Sequence, residues 1–252
     1  MEKISIVIIS FNEEKNIGRC IQSVKEIADE IIILDSYSSD KTLSIAEQHG
    51  AVVVQETFKG YIQQKNRAIE LATHNYILSL DADEALDPVL IDSISKVKLK
   101  FTSPAYRMNR YSNYCGKFIR HGSWYPDAKI RLFDRRLARW GGTNPHDKIV
   151  LTGDAKVSHL KGNILHYSYS TISEHVNQNN KFSTLAAESL FANGKRTNLF
   201  KVFIHPLWAF FQCFLIRAGF LDGLYGLVIA IMISNLTFLK HLKLFLLQQS
   251  AK

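Results

Sequence analysis

The chain has 252 residues, of which 46% are hydrophobic and 21% are charged, with three cysteines and a formal net charge of +8. This composition excludes a disordered chain, and the length allows one large domain with a substantial core. The cysteines Cys20, Cys115 and Cys213 are far apart and have no CxxC spacing. This excludes a disulfide framework and a zinc site, and it predicts a reducing, cytoplasmic location.

The positive charge is concentrated in two segments. Residues 101–139 carry nine Lys or Arg against two acids, and residues 195–252 carry seven against Asp222 alone. Aromatic residues are interleaved with the first cluster, a mixture that suits a phosphorylated sugar or a nucleic acid. A charged sheet face without a ligand is the alternative.

The first hundred residues alternate between strand and helix patterns. Strands are predicted at residues 4–9, 30–34, 51–54 and 76–80, and helices at residues 17–27, 41–49 and 61–72. The first apolar run is too short for a signal peptide. The alternation predicts a parallel α/β sheet that binds a nucleotide. Neither a GxGxxG turn nor a Walker loop is present in this sequence, which argues against NAD and against a P-loop.

The fourth predicted strand runs directly into Asp81 and Asp83, which are separated by one residue. Ligands of parallel sheets bind beyond the carboxyl ends of the strands. Two carboxylates at that edge suit Mg²⁺ or Mn²⁺, which complete their coordination with water and substrate phosphates. The alternative is a turn in which Asp83 and Glu84 are solvated and Asp87, before Pro88, caps the next helix.

The pattern changes after residue 100. Short, aromatic-rich strands are predicted at residues 105–111, 129–133, 149–151 and 164–167, followed by a helix at 171–192. Residues 202–216 and 223–239 are apolar, but each run is near or below the roughly 17 residues of the shortest membrane span. With Lys240, His241 and Lys243 beyond them, they are predicted to lie in a membrane interface. A buried hairpin closing the core and a membrane-spanning hairpin are the alternatives.

Several motifs together resemble those of family 2 glycosyltransferases. The ordered nucleotide-sugar motifs have counterparts at residues 5–14, 33–42, 65–66 and 80–83. Further segments are similar to the lipopolysaccharide core β-glucosyltransferase subgroup, at residues 122–127, 129–133, 145–147, 166–169 and 217–223. The resemblance covers nearly the whole chain. It implies an α/β fold of the GT-A type, in which helices flank a Rossmann-like mixed sheet and a hydrophobic helical appendage follows.

This resemblance divides the chain into a nucleotide-sugar half (1–100), an acceptor half (101–195) and a membrane-associating segment (196–252). It assigns Mg²⁺ or Mn²⁺ to Asp83 and Asp81, with Asp81 also contacting the sugar. Asp35 is expected to accept a hydrogen bond from the nucleobase. The remaining donor contacts that it implies are Phe11, Asn12, Glu13 and Lys65. Ser36 stands where many relatives have a second Asp.

Attack by a sugar hydroxyl with inversion requires a general base. Asp147 is the candidate, although the subgroup often has Glu there, and a turn cap beside Pro145 is the alternative. His146 is expected to orient the base or the acceptor. Proposed acceptor contacts are Arg131, Arg120, His121, Trp124 and Tyr125. Ordinary sheet packing is the alternative for these aromatic residues.

The predicted activity is that of a metal-dependent, inverting hexosyltransferase. It would move a sugar from UDP-glucose or a similar nucleotide sugar to a lipopolysaccharide core or related cell-envelope glycan. It is expected to be peripheral at the inner face of the cytoplasmic membrane. A transferase for a polyprenyl-linked or capsule precursor and an inactive membrane-bound scaffold are alternatives. A nucleic-acid-binding module would leave the acidic sheet edge unexplained.

Overall fold

The computed structural model describes residues 2–143 and 146–250, apart from the side chains of Thr143 and His146. The chain forms two compact units. The first contains the chain up to residue 110 and residues 127–167, and the second contains residues 111–126 and the chain from 168 onward. The predicted boundaries lie at residues 100 and 195. In the structure, residues 111–126, which belong to the predicted acceptor half, are grouped with the C-terminal helices.

The first unit begins with the predicted parallel α/β alternation. Its parallel strands, in the order β3-β2-β1-β4, are β1 (Ile4–Ser10), β2 (Glu30–Asp35), β3 (Val52–Gln55) and β4 (Tyr76–Asp81). The helices between them are α1 (Ile17–Val24), α2 (Thr42–Gln48) and α3 (Tyr61–Leu71). Each predicted element is confirmed to within a few residues, because its apolar periodicity is local.

An antiparallel part completes this sheet. It consists of β5 (Glu84–Leu86), β6 (Ala105–Tyr114), β8 (Asp127–Asp134) and β11 (Val157–Tyr169), with helix α4 (Pro88–Leu99) after β5. Strand β8 pairs antiparallel with β4, and β5 pairs antiparallel with β11. A separate hairpin is formed by β9 (Ala138–Thr143) and β10 (His146–Leu151). The predicted mixed sheet with flanking helices is therefore confirmed.

The core of the first unit lies on both faces of the parallel strands. Ile6, Ile8 and Leu80 pack on one face, and Val7 and Leu34 pack on the other, all of them 0–1% exposed. Burial of one such side chain stabilises the fold by about 1.5–3 kcal/mol. Because both faces are covered, only the strand ends remain for ligands.

The second unit is mainly helical. It contains the short strand β7 (Lys117–Phe118) and the helices α5 (Ile172–Ala192), α6 (Leu199–Phe211) and α7 (Leu224–Ser250), with a π-helical turn (Gln212–Ile216) and a 3₁₀ turn (Gly219–Asp222) between the last two. Helix α7 packs against both α5 and α6. It continues beyond the apolar run that ends at residue 239, and Leu244 in this continuation is buried.

Two helical stretches of this unit, Leu199–Ile216 and Leu224–Ser250, are long and apolar enough to cross a membrane, yet only 17% of each is buried. This exposure argues against a hairpin closing the core. Lys243, which was predicted to lie at a membrane surface, is bound to α5. Its ammonium donates at 2.8 Å to the oxygens of Asn180, Ser183 and Thr184 on α5.

A buried histidine makes the stability of the second unit dependent on pH. The imidazole of His175 stacks on Tyr169, with ring centroids 4.4 Å apart, and its Nδ1 lies 3.1 Å from the Tyr114 hydroxyl. Burial lowers the pKa of His175 to about 4. The unfolded chain therefore takes up this proton below pH about 6.5, whereas the folded chain takes it up only near pH 4.

As the pH decreases from 6.5 to 4, we expect His175 to contribute a loss of stability of up to roughly 3 kcal/mol, seen as the difference between wild type and His175→Gln. The measurement is urea unfolding between pH 7 and pH 5. His175→Gln should flatten the dependence, and His159→Gln, at an exposed position, should leave it unchanged. Equal slopes for wild type and His175→Gln would contradict the assignment.

Candidate functional site

The register of the parallel strands brings the polar strand ends to one edge. Ser10 pairs with Asp35, and Ile9, one residue earlier on β1, pairs with Asp81. The loops that follow β1, β2 and β4 therefore start side by side. Residues that are distant in sequence meet at this edge of the first unit, as expected for a parallel α/β sheet.

The loop after β2 is organised by the buried carboxylate of Asp35. It accepts hydrogen bonds from the Ser10 hydroxyl at 2.8 Å and from the Ser38 amide and hydroxyl at 2.7 and 2.5 Å. Asp35 was predicted to contact a nucleobase. In the structure it is 0% exposed, and its carboxylate holds the loop. Next to it, Tyr37 has φ 62° and a ring that is 57% exposed.

The loop after β1 is joined to the same structure. The Asn12 amide donates to the Ser38 hydroxyl at 2.8 Å, and the Asn12 side chain accepts from the Ser39 amide at 2.9 Å. Phe11, before it, is 58% exposed. Two exposed aromatic residues, Phe11 and Tyr37, thus lie on loops joined by hydrogen bonds, and only Phe11 was predicted from the sequence. Tyr37 could have been identified from the sequence by its position two residues after Asp35, at the end of a predicted strand.

Glu13 is partly buried beside this edge. Its carboxylate accepts a hydrogen bond from the Asn16 side chain at 2.7 Å. Burial raises the pKa of Glu13 to about 7, and the negative charges of Asp83, Asp40 and Asp81 add to the increase. The edge therefore carries an excess of negative charge, which favours a cationic ligand.

A single lysine lies between two of the predicted site residues. The ammonium of Lys65, on α3, is 3.0 Å from the Asp81 carboxylate at the end of β4 and 2.8 Å from that of Asp147 on β10. Lys65 is 5% exposed. Its neighbour Asn66 exchanges two hydrogen bonds with the backbone of Trp140, at 2.9 and 3.0 Å, which fix α3 against the β9–β10 hairpin. The structure thus brings together Lys65, Asp81 and Asp147.

Arg131 holds the other side of the Asp81 carboxylate. Its guanidinium is 2.7 Å from Glu84 and 3.2 Å from Asp81, and the residue is 3% exposed. Burial alone would raise the pKa of Asp81, but Lys65 and Arg131 hold it below its ordinary value. Arg131, predicted to contact an acceptor, instead lies inside the protein. Glu84, which the alternative interpretation placed in solvent, is 1% exposed.

Asp83 has a partner that sequence reasoning missed. The Nε2 atom of His166, on β11, lies 3.1 Å from the Asp83 carboxylate. The pairing of β11 with β5 places His166 opposite Glu84, one residue from Asp83. His166 stood in a motif of the resemblance, but nothing in its spacing connected it to Asp83. The predicted helix cap at Asp87 is also present, since its carboxylate accepts from the Leu90 amide at 2.7 Å.

The pair of Asp83 and His166 suits a divalent cation better than Asp81 does. The Asp83 and Asp81 side chains are similarly exposed, at 26% and 28%, but the Asp81 carboxylate already faces two cations, whereas that of Asp83 faces one imidazole. A site of one carboxylate and one imidazole leaves positions for water and diphosphate oxygens, and the imidazole favours Mn²⁺ over Mg²⁺. Within residues 2–143 and 146–250 there is no group of three or more His, Cys, Asp or Glu that could enclose a metal.

The other predicted acceptor contacts lie in the second unit or outside the described side chains. The ring of Trp124 packs edge-on against buried Tyr114, with centroids 5.5 Å apart, as in the packing alternative. The ring of Tyr125 lies 5.3 Å from that of Tyr111. The side chain of His146 is outside the described residues.

The sequence of this chain is similar to a family model and to several known proteins. The model of the family described as Glycosyl transferase family 2 matches residues 5–149. An uncharacterized glycosyltransferase of Rickettsia felis is 35% identical over 97% of this chain and 90% of its own. The lipopolysaccharide core biosynthesis glycosyltransferase LpsC of Rhizobium meliloti is 28% identical over 94% of this chain and 93% of its own. The solved structure of glucosyl-3-phosphoglycerate synthase from Mycobacterium tuberculosis, with Mn²⁺, UDP and glucosyl-3-phosphoglycerate, covers 44% of each chain at 23% identity and a TM-score of 0.38.

Removal of the Lys65 charge should destabilise the first unit, because Asp81 and Asp147 would lose the cation between them. We expect Lys65→Gln to lower the free energy of unfolding by about 3 kcal/mol. The measurement is urea unfolding at pH 7, with the exposed Lys59→Gln as the control. Addition of Asp147→Asn to Lys65→Gln should recover part of the loss. If the two substitutions destabilise additively, the ion pair is not coupled.

Proposed function

Because the chain belongs to glycosyl transferase family 2, we propose that it is an inverting hexosyltransferase that uses a UDP-sugar, with UDP-glucose as the first candidate. The acceptor would be a lipopolysaccharide core or related cell-envelope glycan, in line with the name of the Rhizobium meliloti relative. The observation that carries the proposal is the group at the strand edge. Asp81, Asp147 and Lys65 form one ion-paired cluster there, and the pair of Asp83 and His166 begins two residues beyond Asp81.

The donor would bind at the loops after β1 and β2. Phe11 and Tyr37 expose aromatic surface on which a nucleobase can stack, a contact worth about 1–3 kcal/mol for a single base. The Asn12 and Ser38 hydrogen bond keeps these loops together. The diphosphate would then point toward Lys65, whose ammonium supplies a fixed positive charge at the end of β4.

Mg²⁺ or Mn²⁺ would be held by Asp83 and His166, with Asp81 as a further ligand or a contact to the sugar. When bound, the cation supplies stabilisation of the charge that develops on the leaving diphosphate. The residues of the chain prepare this position beforehand. His166 orients the Asp83 carboxylate, and Arg131 and Lys65 fix that of Asp81.

Asp147 would act as the general base. The acceptor hydroxyl attacks the anomeric carbon, its proton passes to the Asp147 carboxylate, and the bond to UDP breaks on the opposite face with its electron pair going to UDP. Lys65 holds this carboxylate at 2.8 Å, which fixes its position relative to β4. General base catalysis contributes a factor of about 10²–10⁴ in rate.

The second unit would place the enzyme peripherally on the inner face of the cytoplasmic membrane. Helix α6 exposes seven large apolar side chains, each 41–70% exposed, at Leu199, Phe200, Phe203, Ile204, Leu207, Trp208 and Phe211. Exposed apolar surface of this extent is characteristic of a membrane or protein contact. The cations Lys195, Arg196 and Lys201 near its start would be attracted to anionic lipids.

The donor is tested by incubating the purified protein with a panel of radiolabelled nucleotide sugars, with and without Mn²⁺. We expect one UDP-sugar to be hydrolysed or transferred, and EDTA to stop the reaction. Asp83→Asn should lose Mn²⁺ binding in calorimetry as well as activity, since the amide lacks the charge that holds the cation. Asp154→Asn, at an exposed acid, is the control. Activity that persists in EDTA would contradict the metal assignment, and the absence of binding to every donor would favour the inactive scaffold.

Substitution of Asp147 separates chemistry from binding. Asp147→Asn should bind the donor with nearly unchanged affinity and lose about 10²–10⁴ in kcat, as expected for a group that acts only in the transition state. Asp147→Glu should retain partial activity. Loss of donor affinity in parallel with kcat would instead identify Asp147 as a donor ligand or a structural residue.

A further inference from the structure

One buried acid organises a group of cations in the second unit. Asp222 is the only acid between residues 195 and 252, and it is 4% exposed. Its carboxylate accepts hydrogen bonds from the backbone amides of Arg120 at 3.1 Å and His121 at 2.8 Å. Its backbone oxygen accepts from the Lys117 ammonium at 2.9 Å. The carboxylate is therefore used to position a loop and is not available at the surface.

Backbone packing joins the same two segments closely. The Gly122 amide donates to the Arg217 carbonyl oxygen at 2.8 Å. Gly122 has φ +75°, and a Cβ atom there would lie 3.2 Å from the Sγ of Cys213, so the close approach depends on glycine. We call residues 117–122 the basic loop and residues 217–224 the apolar turn. Their backbones are fixed to each other by these contacts.

The basic loop and the apolar turn carry two kinds of exposed side chain. Lys117, Arg120 and Arg217 are exposed cations. Phe220, Leu221 and Leu224 are exposed apolar residues, at 48%, 59% and 72%. The Lys117 ammonium also lies 5.3 Å from the centre of the Tyr225 ring, and the Arg120 guanidinium donates to the Tyr111 hydroxyl at 2.7 Å. The cations are thus held in defined positions beside an apolar tip.

We propose that the basic loop binds the phosphate group of an amphiphilic lipid while the apolar turn enters the acyl region of the membrane. Three permanent cations beside exposed Phe and Leu complement a phosphate attached to a hydrocarbon chain. A soluble phosphate would leave the apolar turn unexplained. Asp222 is a positioning residue in this site. The inference rests on the proposed membrane position and is independent of the identity of the donor.

The main test measures binding of the full chain to three kinds of vesicle: phosphatidylcholine alone, phosphatidylcholine with phosphatidic acid, and phosphatidylcholine with oleate at the same surface charge. We expect binding to be strongest with phosphatidic acid. Lys117→Gln/Arg120→Gln should reduce that binding by roughly fivefold per cation and leave binding to phosphatidylcholine unchanged. Lys156→Gln/Lys161→Gln, which removes the same charge from exposed positions of the first unit, should have little effect.

Asp222→Asn distinguishes an organised site from general attraction. The substitution makes the protein more positive, so attraction by net charge alone predicts tighter binding to anionic vesicles. Loss of the loop contacts predicts weaker binding, which we expect. Thermal melting and donor binding verify that the variant remains folded. If it unfolds, Lys117→Gln and Arg120→Gln, whose side chains are exposed, decide the question.

Four results would overturn the inference. Equal binding to oleate and phosphatidic acid vesicles would show that the protein responds to surface charge and does not recognise the phosphate group. If Lys117→Gln/Arg120→Gln binds phosphatidic acid vesicles with unchanged affinity, the basic loop does not bind the lipid phosphate. If inorganic phosphate binds the protein in calorimetry while vesicles with and without phosphatidic acid bind equally, the ligand is free phosphate. Absence of binding to every vesicle would contradict both this inference and the proposed membrane position. The proposed transferase activity is tested separately, by turnover of the donor.

Discussion

The ion pairs of Lys65 are the interaction on which the site of the first unit depends. Lys65 on α3, Asp81 at the end of β4 and Asp147 on β10 come from three separate elements, and the ammonium lies within 3.0 Å of both carboxylates. Two partly buried carboxylates without this cation would repel each other and pay a desolvation penalty. The contact therefore compensates part of the negative charge of the site before any ligand binds and sets the position of Asp147 relative to the strand edge.

The two acids of the Asp-x-Asp motif are consequently in different environments. Asp81 faces Lys65 and Arg131, whereas Asp83 faces His166, and the two side chains are similarly exposed, at 28% and 26%. The acids thus differ in their charge partners: two cations of the protein already compensate Asp81, and a bound cation would meet less competition at Asp83.

The sequence was sufficient for elements whose signal is local. The strands and helices of the first hundred residues follow from apolar periodicity, and the strand edge follows from their parallel order. The sequence was insufficient where the burial or the role of a residue depends on a contact with a residue distant in sequence. The burial of Asp35 depends on Ser10, 25 residues earlier, and that of Glu84 depends on Arg131, 47 residues later. The role of Lys243 depends in the same way on Asn180, since a lysine near an apolar helix end is equally consistent with a membrane surface.

The two units use opposite versions of the same electrostatic arrangement. In the first, one buried lysine is shared by two acids at a site that would receive a cation and a diphosphate. In the second, one buried acid, Asp222, fixes the backbone of a loop that carries the exposed residues Lys117 and Arg120. A buried charge is retained only when its partners satisfy it, so each residue constrains the geometry around it. Replacement of Asp222 by an apolar residue would leave two backbone amides without acceptors, which explains why an otherwise acid-free segment keeps this single acid.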